Sequence, residues 1–172
     1  MNSPFDDAPK EIKRIAVFLD KFYKESDRGA ALMASSIMEE VLSEIILSFL
    51  VDEKESLKLL DGFNAPLGTF SARILISYSL GLLEKREYVE IEAIRKIRNL
   101  FGHSWNNIDF NSEEIVAHLS RFPFKEEIPR GTFNNMVANL LGELMWRTHY
   151  VKEARLVPQK WPNKSGFLKR SE

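Results

Sequence analysis

Arg98 and His103 are the two residues of this 172-residue chain whose types and spacing could do chemistry together. They lie in the run Ile97-Arg98-Asn99-Leu100-Phe101-Gly102-His103-Ser104-Trp105. Arginine carries a permanent charge on a planar fork that fits phosphate or carboxylate oxygens. Histidine gives and takes protons near neutral pH. Five positions apart on an unbroken helix, the two would point about 140° away from one another. Gly102 offers a helix end between them, and with that break both could face one phosphate. Arg98 would then hold the anion while His103 acts as general acid or base. On RNA, such chemistry uses the 2′-hydroxyl as nucleophile and needs no metal. The plainer reading is that Arg98 pairs with a carboxylate and His103 caps carbonyls at the helix C-terminus, where a cation is favoured.

Glu25, Asp27 and Arg28 crowd the start of another helix. Glu25 or Asp27 could reach Arg73 or Arg98 and orient it; alternatively the acids cap the helix and match its dipole. Arg73 sits within an apolar helical segment, so a buried ion pair is expected of it. His118 and His149 stand alone, without metal-ligand spacing. Glu39, Glu40 and Glu44 lack the Glu-x-x-His partner of a carboxylate-bridged metal helix and read as a solvated face. The chain has no cysteine, which excludes disulfides, thiol nucleophiles and cysteine-held zinc or iron–sulfur centres. No Gly-rich phosphate fingerprint or Gly-x-Ser-x-Gly elbow occurs. Neither metal nor cofactor is expected.

The elements that must position these groups read as helices almost throughout. Ile12, Ile15, Ala16, Leu19, Phe22 and Tyr23 recur at three- and four-residue steps. After Glu25–Gly29, with Ser26 or Asp27 as cap, a helix spans about residues 29–51. Its small residues (Ala31, Ala34, Ser35) predict a close helix crossing, and its larger ones (Met38, Leu42, Ile45, Ile46, Phe49) a core. A short turn of helix near 53–60 precedes a Gly/Pro/Asn loop. Thr69 caps a helix over 70–83, with Phe70, Ile74, Leu75, Tyr78 and Leu82 inward. The next helix runs over about 87–101, ended by Gly102. Asn106-Asn107 is a turn. Asn111-Ser112-Glu113-Glu114 has capping-box spacing for a short helix to about Arg121. Thr132 caps a long helix to about Leu156, halted by Pro158. The expectation is a single-domain, all-α bundle of about five main helices over residues 10–157, between an N-terminal arm (1–9) and a basic tail (158–172).

Composition agrees with an ordinary globular domain, 44% apolar and 28% charged. The apolar runs are too short or too interrupted to cross a bilayer, and MNSPFDDAPK lacks the pattern of a signal peptide. A cytoplasmic protein with no membrane contact is expected. Net charge is −1, but residues 145–172 carry 7 bases against 2 acids, interleaved with Trp146, His149, Tyr150, Trp161 and Phe167. Such a mixture can contact nucleic-acid phosphates and stack on bases, or serve as a solvated helix end and tail. A helix-turn-helix is not expected, since the candidate second helix, Ser112–Arg121, begins with acids and offers only Arg121 as a base contact.

Three blocks in order resemble the mannitol operon repressor family of bacterial regulators. They are Glu25-Ser26-Asp27-Arg28-Gly29-Ala30-Ala31-Leu32-Met33-Ala34-Ser35, then Ala65-Pro66-Leu67-Gly68-Thr69-Phe70-Ser71-Ala72-Arg73-Ile74, then Ile94-Arg95-Lys96-Ile97-Arg98-Asn99-Leu100-Phe101-Gly102-His103. The resemblance spans roughly residues 10–155. It implies a helical bundle with a role in transcriptional repression, and action through a protein partner, because that family also lacks an evident DNA-binding motif. A second, local resemblance is to the Arg-x4-His signature of HEPN domains, many of them metal-independent RNases. It implies catalytic Arg98 and His103 with Asn99 supporting, in a site commonly completed across a dimer. Trp105 stands where an extended form of that signature has tyrosine, keeping the aromatic ring and losing the hydroxyl. The expected function is therefore a repressor-like regulator, a homodimer acting on a protein or nucleic-acid partner; the alternative is an RNase or RNA binder using Arg98 and His103. Glu25, Asp27, Arg28, Arg73, Asn99 and Trp105 are the expected binding or supporting residues.

Overall fold

The computed structural model describes residues 8–105 and 108–161. The turn at Asn106-Asn107, most of the expected N-terminal arm and most of the basic tail lie outside the described residues. Among the described residues there are seven helices and no strand. Five are long: α1 (Lys10–Phe22), α2 (Asp27–Phe49), α4 (Phe70–Ser79), α5 (Lys85–His103) and α7 (Pro129–Glu153). Two short ones, α3 (Lys54–Leu60) and α6 (Glu113–Leu119), bring the count above the five main helices expected.

Helix α2 is the axis of the bundle and packs on α1, α4, α5 and α7. Its first half is built from Ala30, Ala31, Ala34 and Ser35, all buried, and short side chains let neighbours approach closely. Its second half buries Met38, Leu42, Ile45 and Ile46 completely. Each large apolar side chain so buried contributes roughly 1.5–3 kcal/mol relative to exposure. Beside α2, Phe101 on α5 meets Phe110 at 5.3 Å between ring centroids, Phe110 meets Phe133 on α7 at 4.7 Å, and Phe133 meets Phe22 on α1 at 6.2 Å. This chain of rings locks the ends of α1, α5 and α7 together under the N-terminus of α2.

Helix ends differ from the sequence expectation where tertiary contacts decide them. Ser26 caps α2 as expected, its Oγ accepting from the Gly29 N–H at 3.1 Å. Thr69 likewise caps α4 through the Ala72 N–H. But α4 stops at Ser79 rather than near 83, because Gly81 turns left-handed (φ +72°) and its N–H closes on the Tyr78 carbonyl. Leu75, expected to point inward, faces solvent at 59% exposed. Helix α5 starts at Lys85, two residues early, on a capping box formed by Glu84 and Glu87. At its other end Gly102 does not break it: the helix continues through His103, and Ser104 turns extended. The long helix α7 starts at Pro129, a residue suited to a first turn, so Thr132 is not its cap. Instead the Thr132 hydroxyl accepts the Glu126 N–H and pins the preceding loop. It ends at Glu153, and Arg155 beyond it donates to the carbonyls of Leu47 and Ser48 at the end of α2.

Candidate functional site

Helix α5 supplies the residues singled out by sequence. Arg98 and His103 are both exposed, on one continuous helix. The expected break at Gly102 is absent, so the helix itself directs the two side chains about 140° apart. His103 does not take over the capping of α5. Arg28 at the start of α2 does so, its guanidinium donating to the Ser104 carbonyl at 2.7 Å, where a cation meets the negative end of the helix dipole. Trp105 follows, 91% exposed.

Arg98 makes a hydrogen bond to its neighbour, the Asn99 side-chain carbonyl, at 3.1 Å. Both line a cleft of about 380 Å³ between α2, the start of α4 and α5. Leu32, Ser35, Ser36 and Glu39 come from α2; Thr69, Phe70 and Ser71 from the start of α4; Arg95 joins Arg98 and Asn99 from α5. Arg95 and Arg98 are three residues apart and so share a helix face. The sequence reading missed Arg95, although this spacing was there to find it. Arg95 is held by Glu92, with two bonds of 2.9 Å that favour its charged form.

Of the other expected site residues, none reaches Arg98. Arg73 lies behind the cleft, only 15% exposed, and pairs with Glu39 at 3.2 Å while donating to the carbonyls of Leu60 and Leu67. The ion pair expected of Arg73 is therefore present, but its partner is not Glu25 or Asp27, because Asp27 opens α2 and Glu25 lies just before it, more than three helical turns from Glu39. Asp27 instead pairs with Arg130 of α7 at 2.8 Å and accepts the Phe110 N–H at 3.1 Å. The Arg130 guanidinium also lies over the rings of Phe110 and Phe22 and reaches the carbonyls of Phe22 and Glu25. The Glu25 side chain is exposed. Glu39, Glu40 and Glu44 keep much of the solvent exposure expected of them, but each is also paired: Glu39 with Arg73, and Glu40 and Glu44 both with Arg14 of α1.

Two further polar clusters went unread in the sequence. Glu87, almost fully buried, takes both terminal nitrogens of Arg147, and Arg147 also donates to the Leu82 carbonyl. His149 meets Glu11 at 3.0 Å, joining α7 to α1. Glu11 is held below the usual carboxylate range, first by its backbone hydrogen bond and then by His149. His118 is pushed below its ordinary value by burial and by the nearby charges of Lys96 and Arg121. No group of three His, Asp or Glu side chains among the described residues could hold a metal ion. A second depression, about 440 Å³, lies between α5, the 122–124 loop and α7 beside Phe124. No helix of the described residues is long and apolar enough to cross a membrane.

Fold and site together define, among the described residues, an all-helical domain with an arginine-lined polar cleft that brings Arg98 and Asn99 together with Arg95 but does not include His103. A family model described as mannitol repressor matches residues 23–155, most of the bundle, and the chain belongs to that family. It is 28% identical over 95 residues to the mannitol operon repressor of Escherichia coli K12, a match covering 52% of this chain and 48% of the relative. The repressor of Escherichia coli O6:H1 matches to the same extent. The alignment thus spans about half the length of these relatives. Among solved structures, a chain of the X-ray structure of the MtlR–HPr complex from Escherichia coli shares the fold with a TM-score of 0.57 and 20% identity, over 84% of this chain and 99% of that one.

Proposed function

We propose that this protein is a repressor-like regulator of transcription that acts in the cytoplasm, as a homodimer, through a protein partner rather than through a helix-turn-helix of its own. The observation that carries the reading is the family match over residues 23–155, which takes in α2 through α7. The short helices support it. Helix α6, the nearest to a recognition helix, opens with exposed Glu113 and Glu114, which repel a phosphate backbone. The partner to try first is HPr, because the structural neighbour was solved in complex with it. Calorimetric titration of the full chain with purified HPr tests this. Saturable binding supports the reading, and absence of binding removes HPr from it.

The RNase reading has less support. With α5 unbroken through His103, helix geometry sets the two side chains about 140° apart, which favours a site shared between two copies over one built within a chain. Its test is metal-free cleavage of end-labelled single-stranded RNA by wild type beside His103→Ala. Activity lost in the variant would favour the enzyme over the regulator.

A further inference from the structure

We propose that the cleft between α2, α4 and α5 binds a small polar ligand through a phosphate or carboxylate group seated on Arg98. This reading rests on the cleft's own residues and does not depend on which partner the chain engages.

The cleft's charges decide the class of ligand. Glu39 brings a carboxylate into it, but Arg73 neutralises that charge at 3.2 Å from below. The charge of Arg95 is likewise matched by Glu92 in two 2.9 Å bonds. Arg98 has only a neutral partner, the Asn99 amide. Among the described residues of the cleft one positive charge is thus left over, on a guanidinium whose fork suits two oxyanion oxygens.

The hydroxyls narrow the class further. Thr69 Oγ1 accepts the Ala72 N–H and lies 3.2 Å from Ser71 Oγ, where either hydroxyl could donate to the other. Whichever donates, the remaining O–H is left to donate to a ligand. The Ser36 hydroxyl donates to the Leu32 carbonyl, so its oxygen accepts. Leu32 and Phe70 are the apolar part of the lining. At about 380 Å³ the space lies toward the small end of ligand pockets. It suits a compact molecule with one oxyanion and further polar groups.

The test is a two-dimensional ¹H–¹⁵N titration of the full chain with sodium phosphate and, separately, sodium acetate, against sodium chloride at matched ionic strength. Wild type is compared with Arg98→Gln and with Arg121→Gln, an exposed arginine away from the cleft. Among the described residues Arg98 has no hydrogen bond or ion pair beyond that with Asn99, so its replacement should leave the rest of the spectrum in place. The expected result is saturable shifts at Ser71, Asn99 and the Arg98 side chain. Binding should weaken at least about tenfold in Arg98→Gln, as loss of a charge-assisted fork requires, and persist in Arg121→Gln. The phosphate and acetate arms then tell which oxyanion is preferred. The proposal is overturned if neither anion shifts these residues, if chloride shifts them equally, or if Arg98→Gln binds as wild type does. It is also overturned if a short single-stranded oligoribonucleotide shifts them while both small anions fail, since the cleft would then be a nucleic-acid contact.

Discussion

Replacing Asp27 by alanine separates a functional role for this residue from a structural one. Its carboxylate holds Arg130 at 2.8 Å and the Phe110 N–H at 3.1 Å, tying α2 to α7 and to the loop after α5. A hydrogen bond to a charged group is worth roughly 1.5–3 kcal/mol, and two are lost here. The Asp27 side chain is 34% exposed against 17% for Arg130, so water screens and partly replaces the pair. After that discount, Asp27→Ala should cost about 2–3 kcal/mol, a value typical of a broken part-buried network. For a chain of this size the melting temperature should fall by roughly 4–12 °C. Because Arg130 also stacks over Phe110 and Phe22, Arg130→Met should cost at least as much. The double variant should be less unstable than the sum, by about 1–2 kcal/mol of coupling. Urea melts followed by circular dichroism measure all four corners of the cycle. A loss below about 0.5 kcal/mol for Asp27→Ala, the range of an ordinary surface substitution, would refute the structural role.

Three other outcomes are expected. Arg147→Met leaves the carboxylate of Glu87, 1% exposed, without its partner and should cost about 3–5 kcal/mol in a urea melt, partly recovered by adding Glu87→Gln. Ala34→Leu, at a completely buried position of α2, should destabilise by about 1–3 kcal/mol through overpacking, and a neutral result would contradict the close packing described. The folded state depresses the Glu11 carboxyl, so its contribution is present above the ordinary value of 4.5 and lost as pH falls through the lower folded value. The difference in melting temperature between wild type and Glu11→Gln should therefore shrink in that acid range, and a constant difference with pH would speak against a depressed Glu11 carboxyl.

The all-α class was legible because helical periodicity is a local property, and so were the caps at Ser26 and Thr69, whose bonds reach only three residues. Gly102 misled because glycine ends a helix only when the chain needs a left-handed turn. Here the exit is extended and fixed by Arg28, 76 positions away in sequence. Polar partners were the least legible part. Arg73 announced that it needed a carboxylate, but nothing local points to Glu39, and Asp27 finds Arg130 across 103 positions. The candidate site was legible at Arg98 and Asn99. The cleft itself was not, because Ser36, Thr69 and Ser71 join them only once α2 and α4 pack on α5.

The measurement that bears most directly on the proposed regulator is calorimetric titration of the full chain with purified HPr, run beside a titration with duplex operator DNA. The account predicts saturable binding to HPr and no sequence-specific binding to DNA by the chain alone. Specific DNA binding without any association with HPr would contradict it.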